Sequence, residues 1–96
     1  MPNAYWVTQY SEVRDPGKLA TYAALAGPAI EEAGGRFLAR GTAAYAFEDG
    51  KIERTVVIEF INVEAAHAAH ENDGYQEALA VLDGGASRDF RIVEGA

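Results

Sequence analysis

Two runs of alternating apolar and polar residues, Arg36 to Phe47 and Ile52 to Ile61, flank Asp49-Gly50. Asp-Gly is a two-residue hairpin signal, because a type I′ turn needs positive φ at both central positions and these residues adopt it at least cost. An antiparallel pair is thereby placed at the middle of the chain, and the remaining segments must pack around it. Tyr5 to Tyr10 is rich in aromatic and β-branched residues and predicts a strand. Asp15-Pro16 predicts a helix start, with an N-cap acceptor and a proline whose missing N–H is not needed in the first turn. Leu19, Tyr22, Ala23, Ala26, Ala29, Ile30 and Ala33 then form one apolar stripe, and Gly34-Gly35 ends the helix.

A second helix begins at Asn62, runs through Val63, Ala66 and His70, breaks near Asn72-Asp73-Gly74 and resumes through Tyr75, Ala78, Leu79 and Leu82. Gly84-Gly85 closes it, and Asp89 to Val93 predicts a last strand. The order is strand, helix, strand, strand, helix, strand. This is the βαββαβ pattern of an α+β, ferredoxin-like fold with an antiparallel sheet. Ninety-six residues suit one domain over residues 1–96.

Taking Asp49 and Gly50 as the whole loop sets the register. Phe47 then opposes Ile52, Ala43 opposes Val56, Gly41 opposes Ile58 and Ala39 opposes Phe60, with Tyr45 and Arg54 at the edge of this helix-covered face. The other face carries Leu38, Val57, Ile61, Ala44 and Ala46, and sets Arg40 directly across from Glu59. A bulge at Gly41 would shift these partners by one residue. Both helices are used on the first side, and at about 25 cal/mol per Å² the second side gains several kcal/mol from a cover of a few hundred Å². A second copy of the sheet supplies it, so a homodimer is expected.

Composition narrows the function. Fifteen acidic residues against eight basic ones give −7, which argues against nucleic-acid binding, where phosphates must be neutralised. The chain has no cysteine, which excludes disulfides and thiolate chemistry. The Met1-Pro2-Asn3-Ala4 start has no targeting pattern, and the apolar run Leu19 to Ile30 is too short for a bilayer. A cytoplasmic protein without membrane contact is expected.

Tyr5-Trp6, Asp15-Pro16 with Tyr22, Gly34-Gly35-Arg36-Phe37-Leu38-Ala39-Arg40-Gly41, Val57-Ile58-Glu59-Phe60, Tyr75-Gln76 and Ile92-Val93-Glu94-Gly95 resemble a small bacterial family, the domain of unknown function numbered 1330. The likeness covers nearly the whole chain and implies a dimeric α/β barrel in which two ferredoxin-like sheets face each other. Two departures stand out. The family usually has an aromatic pair and a Ser-Pro step before the matching tyrosine, where this chain has Ala69-His70 and Asn72-Asp73. It also tends to carry arginine seven residues after that tyrosine, where this chain has Leu82.

Candidate chemistry is sparse. Arg40 could hold a carboxylate while Glu59 accepts a proton, or the two could form a structural ion pair, with Arg91 as a further member. His67 and His70 stand at i and i+3, but no third ligand is spaced to complete a metal site, so no metal and no cofactor are expected. His70 is also a candidate pocket acid or base. Tyr10, Tyr22, Tyr45 and Tyr75 could direct hydroxyls to a cleft or simply fill the core. The weak catalytic candidates are therefore Arg40, Glu59 and His70, and the expected ligand-binding set is Tyr22, Arg40, Glu59, His70 and Tyr75. Whether the chain is an enzyme stays open at this level. It reads as a binder of a small organic, acidic or aromatic molecule in a cleft between sheet and helices. The alternatives are a cofactor-independent monooxygenase or isomerase, suggested by fold analogy alone, and a structural or accessory protein with no ligand.

Overall fold

Along residues 2–96, which the computed structural model describes, the elements are β1 (Ala4–Val13), α1 (Pro16–Glu32), β2 (Arg36–Thr42), β3 (Arg54–Phe60), α2 (Val63–Glu71), α3 (Asp73–Leu82) and β4 (Ala86–Glu94). The strands form one sheet in the order β2-β3-β1-β4, each neighbouring pair antiparallel. This is the ferredoxin-like arrangement that the element order implies.

Local chemistry sets the helix ends. Asp15 accepts from the Lys18 N–H at 3.0 Å, Asn62 from Ala65 at 2.8 Å and Asn72 from Tyr75 at 2.9 Å, each satisfying a donor with no partner inside its helix. Asn72 thus separates α2 from α3. At the end of α1, Gly34 has φ 97° and donates to the Glu31 carbonyl, while Gly35 donates to Ile30. This is a Schellman closure. A side chain on Gly35 would start 2.5 Å from Ile30 Cγ2 and 2.9 Å from Phe60 Cζ, so only glycine lets the helix end lie on the sheet.

All helices lie on one face of the sheet, and the core sits between. Trp6, Phe60 and Tyr75 are its largest fully buried side chains, joined by Tyr22, Ala26, Ile30, Ile58, Ala66, Ala78 and Leu82. Trp6 packs at ring separations of 5.0 Å against each of Phe60, Tyr75 and Phe90, and its indole N–H donates to the Ala66 carbonyl at 2.9 Å. One polar atom on a large ring is thereby satisfied inside the core.

The central hairpin differs from the sequence expectation. β2 stops at Thr42 and β3 starts at Arg54, leaving residues 43–53 as a loop. Its turn is centred on Glu48 and Asp49, with Glu48 at φ 55° and Gly50 donating to the Phe47 carbonyl at 2.9 Å. Asp49-Gly50 is therefore not a two-residue I′ loop. A bulge at Leu38, rather than Gly41, adds a second slip. The turn moves residues 39–42 of β2 by three positions relative to the expected pairing, which exchanges the faces of their side chains, while the bulge makes the shift four at Arg36 and Phe37, which keep theirs. Arg40 pairs with Val56 and turns to the helix side, whereas Glu59 pairs with Arg36 and Tyr5 on the other side. The expected Arg40–Glu59 contact does not form, because the two residues lie on opposite faces of the sheet.

That other face has no helix over it. Tyr5, Val7, Val57 and Ala39 lie there with Leu38 and Val93, which are 43% and 46% exposed. Tyr45 and Phe47 in the loop are exposed as well.

Candidate functional site

Strand alternation builds a graded surface beneath α1. On β1, Trp6, Thr8 and Tyr10 point to the helices; β3 adds Ile58, Val56 and Arg54, and β4 adds Phe90 and Arg88. The registers Thr8–Val56, Thr8–Phe90 and Tyr10–Arg88 align these residues in rows across the sheet. The rows run from apolar at Trp6 and Ile58 to basic at Arg54, Tyr10 and Arg88. Phe37 and Arg40 on β2 extend the same gradient, because Phe37 pairs with Ile58 and Arg40 with Val56.

Helix α1 covers these rows with Tyr22, Ala23, Ala26, Gly27 and Ile30. The small side chains of Ala23 and Ala26, and Gly27, leave the space between helix and strands partly unfilled, as a narrow cleft with about 30 Å³ of free room. Three of the chain's eight basic residues, Arg40, Arg54 and Arg88, line it, and none of its fifteen acidic residues does. The cleft thus concentrates positive charge in a molecule of net charge −7.

The arginines are held differently. The Arg88 guanidinium lies 5.1 Å from the centre of the Tyr22 ring and 5.6 Å from those of Tyr10 and Phe90, and it donates to the Tyr22 hydroxyl at 3.2 Å. Arg54 lies 5.7 Å from the Tyr10 ring, so that ring has a cation on either neighbouring strand. Arg40 stacks over Phe37 at 4.4 Å. Such contacts attract each cation to a π face and offset part of the crowding of like charge.

Burial, and then the Tyr75 hydroxyl, push the Tyr22 hydroxyl far above its ordinary value of 10.0, and Arg88 offsets this only in part. Burial opposes the charge on Arg88, but the Tyr22 and Tyr75 oxygens outweigh it and raise its pKa. The cleft therefore keeps a neutral phenol beside a permanent cation.

The expected ligand residues are distributed as follows. Tyr22 and Arg40 line the cleft. Tyr75 stands behind Tyr22, with 2.8 Å between their hydroxyls. His70 lies beyond Tyr75, its ring 5.3 Å from Tyr75 and 5.4 Å from Phe90, and its Nδ1 is 2.6 Å from the Glu71 carboxylate. That hydrogen bond holds the Glu71 carboxyl below its ordinary range. Glu59 is on the far face, where the Tyr5 hydroxyl donates to it at 3.4 Å. Arg91 is on that face too and forms two 2.9 Å bonds to Asp89. His67 is exposed, and among the described residues no three His, Asp or Glu side chains gather to hold a metal ion.

Sequence reading missed two members of the cleft. Arg54 shares the parity of Val56 and Ile58 and is expected at the edge of the helix-covered face, but nothing in the sequence marks it as lining a cleft. Arg88 precedes the expected start of the last strand, and extending the alternation of Phe90 and Ile92 by one step would have found it.

Comparison with known proteins agrees with this architecture. The model of a family described as a domain of unknown function, DUF1330, matches residues 3–96. The chain belongs to the DUF1330 family. Leu82 is a buried core residue of this DUF1330 chain, so arginine is absent from that position. A search of curated proteins finds no match. Among solved structures, the chain resembles RPA0582 of Rhodopseudomonas palustris, a protein of unknown function. The TM-score is 0.75 at 16% identity, over 99% of this chain and 83% of that one. It also resembles SnoaB, a cofactor-independent oxygenase from Streptomyces nogalater, with a TM-score of 0.69 at 13% identity, over 100% and 95% of the two chains. A dimeric protein of unknown function with a ferredoxin-like fold, from Bacteroides fragilis, gives a TM-score of 0.57 at 14% identity, over 97% and 96%. At these identities the likeness is one of fold. Among the described residues no helix is long and apolar enough to cross a membrane.

Proposed function

We propose that this DUF1330 protein is a homodimer that binds a small organic acid in the cleft between α1 and the sheet. One observation carries the binding reading: three arginines and no acidic residue line a largely apolar and aromatic cleft. Like charges lining one cleft, two of them on the partly buried Arg54 and Arg88, are unfavourable, and an anionic ligand relieves them. The apolar walls then take the ligand's carbon body. Tyr22 and Arg40 belong to this binding set, while Glu59 and His70 lie outside it.

Thermal unfolding tests the reading. A ligand at one hundred times its Kd stabilises the native state by about 2.7 kcal/mol. Small aromatic and aliphatic carboxylates are expected to raise Tm by several degrees, and their neutral amides to leave it unchanged. If every acid in such a panel leaves Tm where it was, the reading fails.

A second reading makes the same cleft catalytic. The fold likeness to SnoaB supports it, and so do the three arginines, which suit an anion formed from a bound substrate before it reacts with O2. Oxygen uptake together with loss of a stabilising compound distinguishes this from binding alone.

A further inference from the structure

Of the three cleft arginines, Arg54 differs in what it engages. Arg88 is committed to the Tyr22 hydroxyl and to three aromatic rings, and the Arg40 guanidinium sits over the Phe37 ring. The Arg54 Nε is buried and, among the described residues, has no hydrogen-bond acceptor, and no other buried side-chain nitrogen or oxygen there is left so. A charged donor taken out of water without an acceptor costs free energy, so native structures pair it.

The identity of that atom matters. In a guanidinium, Nε and the adjacent terminal nitrogen present two parallel N–H bonds along one edge, which match the two oxygens of a carboxylate. Arg54 belongs to the basic end of the cleft, next to Tyr10 and across it from Arg88. From there towards Trp6 the floor becomes Val56 and then Ile58, with Ala26 and Ile30 above. An acid head at Arg54 therefore leaves its carbon body over apolar surface.

We infer that Arg54 is the carboxylate anchor, gripping the acid side-on through Nε and one terminal nitrogen, and that the ligand is a monocarboxylate with a compact apolar or aromatic body. Arg88 supplies fixed charge beside the anchor without gripping the ligand itself. This rests on the cleft being an organic-acid site and assigns which residue performs the recognition.

Benzoate and benzamide, titrated calorimetrically into the full chain, test it. Wild-type protein is expected to bind benzoate and not the isosteric neutral amide. Arg54→Lys keeps the charge but loses the two-pronged edge, and is expected to weaken benzoate by about ten-fold or more. Arg36→Lys, on the opposite face of the sheet, is expected to leave it unchanged. In wild-type protein labelled with 15N-arginine, one Nε–H resonance is expected to move downfield on adding benzoate, and this readout survives any failure of the variant to fold. Benzoate binding to Arg54→Lys as tightly as to wild type, or binding with no arginine Nε–H shift, overturns the anchor while leaving the cleft reading intact. Wild-type protein that binds no carboxylate overturns both.

Discussion

Tyr75 has no exposed surface, and its hydroxyl lies 2.8 Å from that of Tyr22. Arg88 can only donate to Tyr22. If Tyr22 gave its proton to Tyr75, the Tyr75 proton would be buried with no acceptor. Donation from Tyr75 to Tyr22 avoids this and leaves the Tyr22 proton on the cleft side. The same burial makes ionisation of Tyr22 costly, and its sign can be worked out. The folded pKa lies above the unfolded value of 10.0, so the stabilising contribution is complete below that pH and is lost as the pH rises beyond it. For one proton the loss is about 1.4 kcal/mol per pH unit. Urea unfolding between about pH 9 and 11 is expected to show wild type declining more steeply than Tyr22→Phe, since the other tyrosines are common to both chains. Parallel curves would remove Tyr22 from this account. At this scale the sequence was partly informative. Tyr22 falls on the α1 stripe, and helical spacing alone puts it over the sheet. Arg40 could not be placed, because its facing depends on the length of the loop over residues 43–53.

Element order and element register have different physical origins here. Order comes from local chemistry: an Asp or Asn cap, an apolar stripe and a closing glycine act within a turn or two of chain, and Asp15, Asn62, Asn72 and Gly34-Gly35 all perform the roles their residue types predict. Register is settled between strands, where the Leu38 bulge and the turn at Glu48 and Asp49 shift β2 without leaving a local signature. The cap at Asn72 gives a direct check. Its side chain holds the Tyr75 N–H at the start of α3, and so positions the residue behind Tyr22. Asn72→Ala is expected to cost about 1 kcal/mol, within a range of roughly 0.5–2. Asn72→Ser, which keeps a side-chain acceptor, is expected to cost only a few tenths. Chemical denaturation measures both, and equal losses for the two variants would mean that the cap contributes little.

Across the whole molecule, the helices cover one side of a four-stranded sheet and leave the other to its own side chains. Tyr5, Val7, Ala39 and Val57 lie on that side, with Leu38 and Val93 each more than two-fifths exposed. Charged side chains at Arg36, Glu59, Asp89 and Arg91 frame the apolar patch. A two-fold axis brings a patch of this kind against itself, so one surface serves as both halves of the contact. The cleft lies on the helix side, so pairing through the open face leaves it uncovered. Sedimentation at micromolar concentration is then expected to give twice the 10.3 kDa of one chain. Leu38→Glu places a charge in the patch at a position already 43% exposed within the protomer. It is expected to yield a folded monomer with unchanged circular dichroism, a lower and concentration-independent Tm, and retained benzoate binding. A wild-type mass of one chain across that concentration range would show that this face is stable in water, and the charged frame would then be what keeps it soluble.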